Sequence, residues 1–174
     1  MIKLHCDDEL FLNVFNNLFE QKNLVNKVKS DQYFVNVKIK INLNKVNIDV
    51  NGNISILQLP LDVNHFFNYI LKLISHVKLS LNEYEYFPYM RVLSGKNSKS
   101  FLSDIQNTII SNLISSSKGI NKDLLYSLIW RKDKEVSINK LDTHLTNLKN
   151  QLKKDLNMRI NFHSHEKILK LVID

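Results

Sequence analysis

Cysteine, glycine and proline are all scarce in this chain of 174 residues. The one cysteine, Cys6, has no partner for an intramolecular disulfide, which points to a reducing cytoplasm. Three glycines and two prolines exclude long flexible linkers of the usual composition. No phosphate loop, Ser/His/Asp set or pair of catalytic carboxylates is visible, so an enzyme is not expected. Met1 to Cys6 runs straight into Asp7-Asp8-Glu9 without an apolar core, so no secretory signal is expected. Nor does any stretch approach about 18 uninterrupted apolar residues, and no membrane span is expected. His163 and His165 could share one strand face, but two imidazoles without further ligands make a poor metal site, and no cofactor is expected.

What the chain does have is a 44% apolar fraction, enough for a packed core, and an uneven charge. Residues 1–90 carry nine Lys/Arg against nine Asp/Glu, while residues 91–174 carry fifteen against eight. The whole net charge of +7 therefore sits in the second half, as in a neutral module joined to one that faces a polyanion. Asn, Lys, Ile and Leu are abundant throughout, as in AT-rich coding sequences, so the many asparagines mean little by themselves. A lysine-rich surface could share that origin, but the same bias left the first half neutral.

Residues 2–6 read as a buried strand, with Cys6 a small core residue at its end. From Asp8 to Gln21, Leu10, Phe11, Val14, Phe15, Leu18 and Phe19 recur at helical spacing, and Asp7 or Asp8 can cap the first amides. Residues 33–57 alternate apolar and polar side chains, beginning at Phe34, and Asn51-Gly52 is a strong hairpin signal. A helix over Asp62–Val77 follows, then a connector with strand character and a hairpin between Val92 and Phe101. Ser103-Asp104-Ile105-Gln106 fits a capping box. The helix it opens ends near Lys118-Gly119, with Gly119 in a left-handed position. Asn121 caps a short helix, Lys122–Trp130, with Trp130 in the core. After the charged loop Arg131-Lys132-Asp133-Lys134-Glu135, Ser137 caps a third helix, with Val136 and Leu141 as a hydrophobic staple. Leu141, Leu145, Leu148, Leu152 and Leu156 form that helix's buried stripe. Two strand-like runs around His163–Lys167 close the chain. The fold class expected is α+β: residues 1–80 a small α/β domain, 81–100 a stranded connector, and 101–174 three helices plus a β-hairpin wing.

Leu124-Leu125-Tyr126-Ser127-Leu128-Ile129-Trp130 resembles the second helix of OmpR/PhoB-type winged-helix response regulators. Leu141-Asp142-Thr143-His144-Leu145-Thr146-Asn147-Leu148-Lys149 resembles their recognition helix, in the alphaproteobacterial variant Leu-Glu-Thr-His-Ile-x-Arg-Leu-Arg. Phe87-Pro88 and Arg91-Val92-Leu93 resemble the strand that leads into that domain. The resemblance covers residues 91–174. It implies a winged helix-turn-helix that binds double-stranded DNA in the major groove, a cytoplasmic, nucleoid-associated regulator, a homodimer formed through the N-terminal domain, and contact of the 131–135 loop with RNA polymerase or the DNA backbone. Asp7 and Asp8 stand where receivers keep an acidic magnesium pair, and Leu59-Pro60-Leu61 where they keep Lys-Pro-Phe, without the lysine. Asp49 is the one candidate phosphoacceptor, but it precedes a hairpin turn. The first half therefore resembles a shortened receiver without phosphotransfer. The acids of Asp7-Asp8-Glu9 also fit an ordinary helix start.

On a helical wheel, Asn139, Lys140, Thr143, Thr146, Asn147, Asn150 and Lys154 lie opposite the leucines. Asn can pair with adenine and Thr can touch a thymine methyl. Lys140, Lys149, Lys153 and Lys154 can neutralise phosphates, and so can Lys167 and Lys170 beside the minor groove. His144 matches a family position that touches the backbone. The family's two recognition-helix arginines are Asn147 and Lys149 here, and Ser164-His165-Glu166-Lys167 replaces a Gly-x-Gly-Tyr wing. These departures leave three readings open: a regulator of A·T-rich targets, a weaker DNA binder, or a winged helix kept for protein contacts. A phosphorylation-controlled regulator would need Asp49 or Asp8 to be labelled by acetyl phosphate, which is not expected.

Overall fold

The computed structural model describes residues 2–21, 35–130 and 139–173. They form two compact units, Met1–Val77 and Lys78–Asp174. The 131–135 loop, the Ser137 cap, Val136 and Phe34 lie outside the described residues. The architecture is mixed α+β.

The first unit runs β1 (Ile2–Cys6), α1 (Glu9–Gln21), β2 (Val35–Asn42), β3 (Lys45–Val50), β4 (Asn53–Gln58) and α2 (Val63–Ser75). Both helices start on an aspartate. Asp8 Oδ1 accepts the Phe11 N–H at 2.9 Å, and Asp62 Oδ1 accepts that of His65 at 2.9 Å. The strands lie in the order β1-β2-β3-β4, with β1 parallel to β2 and the other pairs antiparallel. Alternation sorts the side chains: Val35, Val37 and Ile39 of β2 and Val46, Ile48 and Val50 of β3 are buried. Phe11, Phe15 and Phe19 of α1 meet Phe66 and Phe67 of α2 in edge and tilted contacts between 5.1 and 6.3 Å.

This sheet departs from the receiver pattern expected for the first half. A doubly wound receiver sheet is parallel, with its first strand inside. Here β1 is an edge strand among the described residues, and β2, β3 and β4 form an antiparallel meander. The physical reason is the Asn51-Gly52 turn, whose φ values of 51° and 90° fold β4 directly back onto β3. Asp49 serves that turn, because its Oδ1 accepts the Gly52 N–H at 2.6 Å. Cys6 is half-buried, not a core residue as expected; burial pushes its thiol upward in pKa.

The second unit begins with an antiparallel sheet of β5 (Leu79–Leu81), β6 (Tyr84–Phe87), β7 (Val92–Ser94) and β8 (Lys99–Phe101), in that order. The hairpin expected there sets Val92 opposite Phe101. Then come α3 (Asp104–Ser115), β9 (Ile120–Asn121), α4 (Lys122–Trp130), α5 (Asn139–Leu156), β10 (Ile160–His165) and β11 (Ile168–Ile173). Both halves of the Ser103–Gln106 capping box are present at the start of α3. Tyr86 ties the first sheet to α3: its buried hydroxyl donates to Asn107 Oδ1 at 2.6 Å, and burial holds it well above the ordinary tyrosine pKa. Strands β10, β11 and β9 form a second antiparallel sheet in that order.

Gly119 has the expected positive φ, +88°, but it is not the cap of α3, which closes on Ser116. It sits where the chain presses against β11. A Cβ there would lie 2.6 Å from Lys170 Cγ and 2.7 Å from the Leu169 carbonyl oxygen. Gly119→Ala should therefore destabilise this unit by more than about 1 kcal/mol, because backbone cannot yield as a flexible side chain can. Urea denaturation followed by Trp130 fluorescence measures it, and an unchanged midpoint would contradict the packing described.

Candidate nucleic-acid interface

Helix α5 is placed by its leucines and by a polar clamp. Leu141, Leu145, Leu148, Leu152 and Leu156 are all buried, in one core with Ile109, Ile110, Leu125, Ile160 and Leu169. On the flank of α5, Gln151 Nε2 donates to Ser100 Oγ and to the Phe101 carbonyl, both at 2.9 Å. Gln106 Nε2 donates to Gln151 Oε1 at 2.8 Å, and the fully buried Ser100 donates to Asp155 Oδ2 at 2.8 Å. These bonds fix the rotation of α5 against β8 and α3, which a leucine stripe alone leaves looser. Its C-terminus closes on Asn157 at φ 54°, with the Met158 N–H reaching the Leu152 carbonyl at 3.2 Å.

The rotation so fixed leaves Thr143, Thr146, Asn147 and Asn150 exposed, with Lys153 and Lys154 exposed further along the helix. Asn139 is the first residue of α5. Thr146 Oγ1 donates back to the Asp142 carbonyl at 2.9 Å, which turns its methyl group away from that bond. Lys149 is exposed and its Nζ donates to Asn161 Oδ1 on β10 at 2.7 Å, so it sits between the helix and the hairpin. Lys140 Nζ lies 5.1 Å from the centre of the Trp130 ring. His144 is half-buried, its ring 5.6 Å from that of Trp130. Trp130 is half-buried rather than enclosed in the core, with Tyr126 at 4.6 Å on its other contact. This aromatic cluster joins the end of α4 to the first turns of α5.

The hairpin is tied down at its tip. Strand β10 continues through His165, beyond the expected end at Phe162, so the turn is only Glu166-Lys167, with φ values of 47° and 64°. The Lys122 N–H donates to the Lys167 carbonyl at 2.8 Å. Lys167 Nζ pairs with Asp123 at 3.0 Å; both are largely exposed, so this bond exchanges readily with solvent or a phosphate. Lys170 is exposed on β11, opposite His163 on β10. His163 and His165 are both exposed, and among the described residues no group of three His, Cys, Asp or Glu side chains could hold a metal ion.

Two features escaped the sequence reading. Lys122 opens α4, and its Nζ lies 3.5 Å from Asp142 on the first turn of α5. The Gln151–Ser100–Asp155 clamp was invisible because each residue type is common on helix surfaces; only the tertiary fold brings them together. Asp7 is exposed, and Asp8 is occupied as a helix cap, which is the ordinary reading of that acidic start. Among the described residues, no helix is long and apolar enough to cross a membrane. No family model matches the chain, and no curated protein matches it.

Proposed function

We propose that residues 101–174, within the Lys78–Asp174 unit, are a winged-helix DNA-binding domain of the OmpR/PhoB kind, and that the chain is a phosphorylation-independent transcriptional regulator acting as a homodimer. The observation that carries this reading is the face of α5. Its leucines are inside, Thr143, Thr146, Asn147 and Asn150 are outside, and Lys149, Lys153 and Lys154 flank them with a hairpin alongside. A helix presenting amides and hydroxyls to base edges, bounded by cations for phosphates, matches what the major groove offers. Lys140, His144, Lys167 and Lys170 extend the cationic and polar rim. Asn139 at the helix start, and the 131–135 loop as a polymerase or backbone contact, belong to the same proposal.

The test is selection of duplexes from a random pool by the purified chain. An enriched motif, A·T-rich in keeping with asparagine readers, is the expected result; no duplex retained at low salt would overturn it. Asn147→Ala should alter the selected sequence, whereas Lys149→Ala should weaken all duplexes alike, by about one unit of salt slope. The turn role of Asp49 and the cap role of Asp8 favour control without phosphorylation, so acetyl phosphate should label neither.

A second reading keeps the fold for protein contacts. It is favoured by Leu124, 51% exposed on α4, and by the exposed acids Asp123 and Asp142 nearby. Copurification with a protein that covers α5 would select it.

A further inference from the structure

Among the described residues, strand β4 ends its sheet, and two isoleucines stand in its outward row ahead of Gln58. Ile54 is 71% exposed and Ile56 58% exposed. The strand Asn-Ile-Ser-Ile-Leu-Gln contains no charge and no proline, the usual guards of an edge. The opposite edge, β1, is shorter and carries Lys3 and His5 in its outward row. The two-residue turn makes Val50 and Asn53 a hydrogen-bonded pair, so alternation turns the N–H and C=O groups of Asn53, Ser55 and Leu57 toward β3. Those of Ile54 and Ile56 point to the open side of the sheet.

We propose that β4 is a homodimerisation edge: two copies pair their β4 strands antiparallel about Ser55, forming one continuous eight-stranded sheet. The register follows from geometry. A two-fold axis through an antiparallel pair keeps each residue on its own face, so the pivot must be a residue. With Ser55 as pivot, Ile54 of each copy lies opposite Ile56 of the other, and their edge-facing groups make four backbone hydrogen bonds. Four isoleucines then cluster on the outer face.

Charge does not oppose the same occupant. β4 carries no charge, and Asp49 behind it is balanced by Lys38 of its own β2, so a second copy placed at this edge meets no like charge directly opposite. The pairing is isologous, so it closes at two copies and does not run on into fibres. A six-residue strand pair buries less than the about 1,200 Å² of a standard interface, so association in the micromolar range is expected.

This deepens the dimer part of the reading above and is tested without DNA, so either can fail alone. Sedimentation of the intact chain from low micromolar to about 200 µM should show the mass rising from 20.4 kDa toward twice that value. Ile56→Lys, at an exposed position, should weaken the dimer at least about tenfold while leaving the far-UV spectrum unchanged. In a Cys6→Ser background, Ser55→Cys should crosslink under oxidation. A non-hydrogen-bonded self-pair brings the two Cα atoms to about 4.5 Å, within disulfide reach. Asn53→Cys, opposite Leu57 of the other copy, should not crosslink. A monomer at every concentration, a dimer indifferent to Ile56→Lys, or crosslinking at 53 but not at 55 would each overturn the proposal.

Discussion

Replacing Lys153 and Lys154 together by glutamine should weaken duplex binding about 50-fold at 0.1 M salt and flatten the dependence of log K on log salt by about two units. Each lysine that neutralises a phosphate releases about 0.9 counterion, so two lost contacts remove about 1.8 units of slope and, at 0.1 M, nearly two decades of affinity. Both side chains are exposed on the last turns of α5. Glutamine keeps helix propensity and costs only a few tenths of a kcal/mol of favourable interaction with the helix dipole, so folding is spared. Fluorescence anisotropy with a labelled duplex reads both quantities. Unchanged affinity with an unchanged slope would place the polyanion surface elsewhere.

Leu148→Ala should cost the Lys78–Asp174 unit about 3–5 kcal/mol, the largest stability effect expected of any substitution in α5. Leu148 is fully buried at the centre of the leucine stripe, in one core with Ile109, Leu125 and Ile160. Truncation removes transfer free energy and leaves a cavity that the clamped helix cannot collapse, because Gln151 and Asp155 hold α5 in place. Against a usual domain stability of about 5–15 kcal/mol, such a loss brings the unit close to unfolding at physiological temperature. Trp130, the sole tryptophan, lies in this unit and reports its urea transition. A loss below about 1 kcal/mol would mean that the stripe is not packed as described.

The parts of this fold that were legible in the sequence are those where one local signal decides the outcome. The leucines of α5 recur at helical spacing, Ser103 and Gln106 stand three apart, Asn121 precedes a helical run, and Asn51-Gly52 permits only a tight turn. Each element appears at or within a few residues of the expected place. The parts that were not legible depend on partners distant in sequence. Gly119 looked like a helix cap because glycine at a helix end usually is one; its position is fixed instead by the approach of β11. Trp130 looked like core because tryptophan usually is, yet it packs against the core only in part, with Lys140 and His144 from the next helix beside its ring. The receiver likeness of the first half rested on Asp7, Asp8 and Pro60; Asp8 serves here as a helix cap, and the strands after it form an antiparallel meander. For the candidate interface, Lys140, Thr143, Thr146, Asn147, Asn150 and Lys154 of the wheel face are exposed, while Lys122 and the pinned hairpin tip emerged only from tertiary contacts.

The most direct test of the DNA-binding proposal is an anisotropy titration of a labelled duplex by the intact chain across a salt series. With Lys140, Lys149, Lys153, Lys154, Lys167 and Lys170 engaged, log K should fall along a line of slope about −5, so affinity drops about 10³-fold between 50 and 200 mM salt. No binding at 50 mM, or binding whose strength hardly changes over that range, would contradict it.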